Sequence, residues 1–71
     1  MGKQTKMKII RHIATIKEWK TVSLELNVIE WNLGKSKYDL RKWRDGEPTK
    51  NGVTFEREEL EDLFLALEKE L

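Results

Sequence analysis

The chain has no cysteine in its 71 residues, which excludes disulfide staples and thiolate metal sites together. A domain of this size removes only about 60% of its unfolded surface from water. Small domains without staples often gain the missing stability from a second copy of themselves, so a homodimer is expected. There is one histidine, His12, with no second ligand type beside it, and a structural or surface role suits it better than catalysis or metal binding. Hydroxyls such as Ser23, Ser36 and Thr54 lack a candidate base nearby in sequence. Asp39 with Glu25 or Glu30 can be drawn as a carboxylate pair, but strand acids beside Lys and Arg are ordinarily salt-bridged. No enzyme and no cofactor are expected. Behind Lys3, Lys6 and Lys8 no apolar run is long enough for a signal peptide or membrane span. The expected location is the cytoplasm, or the nucleoid if the source is bacterial. Internal repeats and low-complexity segments are absent.

What is present is charge, unevenly spread. Residues 1–52 hold twelve Lys/Arg against six Asp/Glu, a balance of +6, and residues 53–71 hold two against seven, a balance of −5. Such asymmetry points to a polyanion-binding surface with the acidic segment placed elsewhere. A chain with 38% charged residues also shows uneven charge by chance, and charge alone leaves the two readings level.

Residues 1–6 lack apolar periodicity and read as a flexible basic tail, with one domain over 7–71. Met7 to Ile16 favours a strand, although Ile9, Ile10, Ile13 and Ile16 do not hold one parity, which a bulge near Ile10 reconciles. Glu18-Trp19-Lys20 reads as a loop or turn. Thr21 to Asn27 has the clearest alternation, with Val22, Leu24, Leu26 and Val28 on one side and Ser23, Glu25 and Asn27 on the other. After Val28 the apolar parity passes to Ile29 and Trp31, which implies a bulge or bend. Asn32 to Ser36 supplies hairpin turn chemistry. Residues 44–52 read as the longest loop, closed by a short strand at Val53-Thr54-Phe55. From Arg57 the period becomes 3.6, with Leu60, Leu63, Phe64, Leu67 and Leu71 on one helical stripe. Glu56, at the N-cap, is a weaker cap than Ser or Thr, so a frayed helix start is expected. Leu65 lies off the stripe and again suggests a partner. The expected fold is α+β, a four-stranded curved antiparallel sheet followed by one C-terminal helix, dimerising through the helix.

Within this plan Lys37 to Trp43 carries the functional pattern. As a strand it puts Tyr38 and Leu40 on one face and Lys37, Asp39, Arg41 and Trp43 on the other. A guanidinium, an ammonium and an indole side by side offer phosphate partners and a stacking surface, which is what an unpaired nucleic-acid strand requires. Trp43 and Trp31 are the leading indoles, and Trp19, between Lys17 and Lys20, is the third. For each, core packing is an equally weighted alternative. Arg41 and Lys37 are phosphate ligands or solvated sheet charges, and Lys35 and Lys50 can track a backbone or simply aid solubility.

The order strand, Trp31, turn, Tyr38-Asp39-Leu40-Arg41-x-Trp43, loop, Lys50-Asn51-Gly52-Val53-Thr54-Phe55, helix resembles the C-terminal domain family of the transcriptional coactivator positive cofactor four. It is most similar to the bacterial YdbC-like branch, which shares the shape of Glu25-Leu26-Asn27-Val28-Ile29-Glu30-Trp31-Asn32. The resemblance covers residues 7–71. It implies a ββββα subunit that dimerises through its helix and binds single-stranded DNA with little sequence preference on its curved sheets. By position, Trp31 matches the aromatic before the hairpin turn, Arg41 the basic residue of the third strand and Trp43 the aromatic beyond it. Asn51 stands where the family has a lysine, and Lys50 precedes it.

The expected nucleic-acid surface therefore comprises Trp31, Lys35, Lys37, Arg41, Trp43, Lys50, Trp19 and Lys20, and the expected dimer surface Leu60, Leu63, Phe64, Leu67 and Leu71. Nothing reads a 2′-hydroxyl, so RNA remains an alternative ligand. The process served, transcription or another branch of DNA metabolism, is not legible. The rival expectation is a small dimeric protein-interaction module whose open sheet face or edge docks a peptide or another protein.

Overall fold

A computed structural model describes residues 7–31 and 34–71. Four strands, β1 (Met7–Trp19), β2 (Val22–Trp31), β3 (Ser36–Arg44) and β4 (Glu47–Phe55), pair antiparallel in chain order and lead into one helix, α1 (Arg57–Glu70). The expected ββββα architecture, one curved sheet and a terminal helix, is the observed one.

The hub is β2, and its pairing with β3 runs without interruption from Val22 opposite Arg44 to Glu30 opposite Ser36. No bulge in this ladder re-aims the chain after Val28, contrary to expectation. Ile29 therefore shares a face with Asn27 and Glu25, and it is fully buried there. Burying that side chain is worth about 1.5–3 kcal/mol. The irregularity sits in β1 instead. Its register with β2 skips at Ile10, Ile13 and Ile16, so the bulge expected near Ile10 is accompanied by two more. Bulges every third residue increase local twist and curl the sheet.

Residues 44–52 are not a loop. Asp45 (φ 51°) and Gly46 (φ 80°) form a two-residue turn with both residues in the left-handed region, a preference of Asp-Gly hairpins. The Asp45 N–H donates to the Thr21 carbonyl at 2.8 Å, tying this turn to the β1–β2 turn. Glu18 and Trp19 belong to β1, and the first turn is formed by Lys20, at φ 53°, and Thr21. The Gly, Pro and Asn of β4 serve an edge strand instead: Pro48 stands opposite Trp43, and Thr49, Lys50 and Asn51 together face Lys42 in a wide irregularity.

Cross-strand pairing sorts the sheet into two faces. One carries the rows Ala14–Leu26–Leu40–Val53 and Val28–Tyr38–Phe55. The helix lies on this side, where Leu60, Leu63, Phe64 and Leu67 border a groove of about 420 Å³ floored by Leu26 and Tyr38. No helical residue is buried. A 14-residue helix is marginal by itself, so its persistence depends on packing. Its start is held, not frayed as expected: Glu59 Oε1 accepts from the Glu56 N–H at 2.8 Å, and Lys37 Nζ lies 3.0 Å from Glu56 Oε2. Leu65, off the stripe, is 53% exposed.

Candidate functional site

The second face is polar and the helix does not lie on it. Its rows are His12–Asn27–Asp39–Thr54, Thr15–Glu25–Arg41–Gly52 and Glu18–Ser23–Trp43–Pro48. Curvature lets these side chains cover one another, and Asn27 and Asp39 are fully buried although, among the described residues, no element is stacked above them. His12 Nδ1 lies 2.6 Å from Asn27 Oδ1, and Ser23 Oγ donates to Glu25 Oε2 at 2.6 Å.

Arg41 is at the centre of this network. Its Nε donates to Asp39 Oδ2 at 3.0 Å, Nη2 to Asp39 Oδ1 at 2.9 Å, and Nη1 to the Thr49 carbonyl at 2.7 Å. The side chain lies across Gly52, where an added Cβ would come within 2.7 Å of Cζ. The β4 irregularity turns the Thr49 carbonyl to meet the guanidinium, and the Thr49 hydroxyl holds that bend by donating to the Lys42 carbonyl at 2.7 Å. With its side chain 11% exposed, Arg41 is a clamped internal cation more than an outward arm. Trp43 shares its face as the strand period requires, but it is 8% exposed and its Nε1 is buried without a partner. The expectation of an outward guanidinium and indole therefore meets a different arrangement. Both groups point from the polar face and both are covered by their neighbours, because curvature draws adjacent rows together.

The open chemistry is at the end of this face. Trp31, Gly34, Lys35, Lys37, Thr54 and Glu56 line a depression of about 520 Å³. Trp31 is partly exposed and Lys35 exposed, and the Lys37 side chain is 38% exposed. The unbroken β2–β3 register puts Lys37 opposite Ile29, with Trp31 two residues further along the same parity. The hairpin closes through Gly34, whose N–H donates to the Trp31 carbonyl at 2.6 Å. An added Cβ at Gly34 would lie 2.9 Å from that oxygen, so the turn excludes larger residues. The remaining hairpin residues, Asn32 and Leu33, lie outside the described residues, as does the 1–6 tail.

A second indole marks the opposite end of the sheet on the opposite face. Trp19, 38% exposed, has Lys17 Nζ 5.2 Å and Lys42 Nζ 5.8 Å from its ring centroid. Such ammonium-over-indole contacts are attractive and leave both cations near solvent. Lys20 is exposed in the adjoining turn, and Lys50 is exposed on the β4 irregularity. Trp19 and Trp31 are separated by the length of β2, about 30 Å at the usual rise per residue.

Thus Trp31, Lys35 and Lys37 come together, Trp19 joins Lys17 and Lys42 elsewhere, and Arg41 and Trp43 form a closed centre. Sequence reasoning missed Thr54 and Glu56 as neighbours of Lys37. The pairing of Tyr38 with Phe55 brings them there; the strand at Val53-Thr54-Phe55 is expected, but its register against β3 is not a pattern of the sequence. On the helix, the Arg57 pKa is raised from its ordinary value, first by the hydrogen bond to Glu61 and then by Tyr38, so its charge is permanent. Among the described residues no group of His, Asp and Glu is disposed to hold a metal ion, and no helix is long and apolar enough to cross a membrane. No family model, curated protein or solved structure matches this chain.

Proposed function

We propose that this protein is a homodimeric, sequence-tolerant binder of single-stranded DNA, of the kind found in the positive cofactor four C-terminal domain family. The observation that carries the reading is the depression in which partly exposed Trp31 stands beside Lys35 and Lys37, on the face the helix leaves open. An indole next to two ammonium groups offers one base a stacking platform and its flanking phosphates two counter-charges. Nothing in such a site reads base edges, which fits tolerance of sequence. Lys50 and Lys20 add exposed positive charge, and the Trp19 cluster forms a separate basic and aromatic patch on the other face. Arg41, neutralised by buried Asp39, braces the sheet beneath this surface, and Trp43 holds its centre. Dimerisation is supported by the exposed apolar side of the helix. The site assigned here is a binding site, with no chemical step.

The test is fluorescence anisotropy of labelled oligo-dT, duplex DNA and RNA across a salt series, with tryptophan emission followed in parallel. Oligo-dT is expected to bind more tightly than duplex and to quench emission. If about four phosphates are neutralised, log affinity falls against log salt with a slope near −3. Equal, weak binding of heparin and oligo-dT with unchanged emission would remove the reading.

A second reading, a protein-interaction module, is favoured by one feature, the apolar groove between Leu26, Tyr38 and the helix. It predicts that Trp31→Ala leaves polyanion binding unaltered.

A further inference from the structure

The depression beside Trp31 contains an acid as well as cations. Glu56 closes β4 and opens the helix, and its carboxylate oxygen Oε2 lies 3.0 Å from Lys37 Nζ, within the lining that also includes Trp31, Lys35 and Thr54. Two constraints hold it there. The pairing of Tyr38 with Phe55 sets residue 56 beside residue 37, and the Glu59 carboxylate accepts the Glu56 N–H at 2.8 Å. A carboxylate on a lysine, next to a half-open indole, occupies the place where a phosphate oxygen would bind if a base were stacked on the ring. We infer that Glu56 is an internal stand-in for phosphate, a counter-charge that a bound nucleotide must displace from Lys37 and that thereby weakens and tunes binding at this site.

This inference rests on the single-strand reading and deepens it. Lys37 and Glu56 are both partly solvated, at 38% and 62% side-chain exposure, so the contact is of the modest, salt-screened kind and is readily exchanged. Displacement from Lys37 leaves Glu56 at the helix start, where the Glu59 carboxylate accepts its N–H and its own side chain faces the Glu59 N–H in a capping box. The sign of the effect is thus set by a particular carboxylate and not by the acidity of the helix as a whole.

Anisotropy titration of labelled oligo-dT with the full chain, at low and at moderate salt, tests it on six proteins: wild type, Glu56→Gln, Glu56→Asp, Glu58→Gln, the double variant Lys37→Gln/Glu56→Gln, and Lys37→Gln as the reference for the double variant. Glu56→Gln removes the charge, and Glu56→Asp keeps it but shortens the arm. Both are expected to tighten binding about two- to fivefold at low salt, with the gain fading as salt rises. Glu58→Gln removes an equal charge from the same helical turn and is expected to change affinity less than about 1.5-fold. In the Lys37→Gln background the Glu56→Gln gain disappears. Equal gains from Glu56→Gln and Glu58→Gln, or a gain that survives without Lys37, would overturn the inference while leaving single-strand binding intact. Absence of oligo-dT binding in wild type and Glu56→Gln alike would overturn both. Melting curves for each variant establish that the compared proteins are folded.

Discussion

Trp31 and Trp43 stand on neighbouring strands and share the polar face, yet they differ in what a substitution should do. Trp31 is partly exposed in a lysine-lined depression, so Trp31→Ala is expected to leave the melting temperature nearly unchanged and weaken oligo-dT binding by about 1–3 kcal/mol, roughly 5- to 150-fold. Trp43 is 8% exposed with an unpartnered Nε1, so its ring belongs to the core. Trp43→Ala should cost about 3–5 kcal/mol in denaturant unfolding. Trp43→Phe should cost far less than that, because it also deletes a buried donor that has no acceptor, and binding should change by less than about twofold. Equal losses of affinity from Trp31→Ala and Trp43→Phe would contradict this division. Asp39 poses a related case. It is fully buried and holds the guanidinium of Arg41, and removing one partner strands a charge. Asp39→Ala is therefore expected to lower stability by about 3–5 kcal/mol, whereas the solvated Arg57–Glu61 pair can be cut with no measurable effect.

Among the elements, the β3–β4 hairpin shows how local chemistry and tertiary contact separate. At Gly46, φ 80°, an added Cβ meets nothing within 4 Å, so Gly46→Ala should cost only the backbone term, about 1–2 kcal/mol. At Gly52 the backbone is unremarkable but Cβ would strike the Arg41 side chain at 2.7–2.8 Å, so Gly52→Ala should unseat the guanidinium as well. The two variants are separated by the Arg41 Nε–H signal in NMR spectra, retained in the first and shifted or lost in the second. The same hairpin explains where the sequence could be read and where it could not. The β2 alternation and the helical stripe are one-dimensional patterns, and both elements stand where those patterns put them. The hairpin was legible in Asp45-Gly46, but the Gly, Pro and Asn content around it pointed to a loop, a composition that an irregular edge strand also tolerates. Burial of Asn27, Asp39, Arg41 and Trp43 depends on curvature, which three skips in β1 and one in β4 increase, and no alternation pattern reports curvature. Of the candidate site, the grouping of Trp31 with Lys35 and Lys37 follows from the hairpin, whereas Glu56 enters only through the full β3–β4 register.

At the scale of the whole molecule, the apolar ledger of one chain is incomplete. Among the large hydrophobics of the described residues only Ile29 and Trp43 are buried, while Phe64 is 60% exposed, Leu67 45%, Ile16 57% and Ile10 46%. The groove between helix and sheet is open along Leu63, Phe64 and Leu67, so the helix has one flank on the sheet and the other in water. A marginal helix of this kind is stabilised if a second copy covers the exposed flank, because the symmetry of a two-fold contact lets one stripe satisfy both chains. Glu61 borders the groove beside that stripe, paired with Arg57, while Glu58, Glu59 and Asp62 are exposed. If folding and association are linked in this way, the melting temperature rises with protein concentration, since mass action favours the associated native state. Sedimentation should give twice the 8.5 kDa chain mass at tens of micromolar, and Phe64→Glu should lower both the mass and the melting temperature by placing a charge in the contact. The same variant should reduce the apparent affinity for long oligo-dT more than for short, because two linked sites lose their shared effective concentration. A monomer of chain mass with a concentration-independent melting temperature would detach the helix from this role and leave the sheet to act alone.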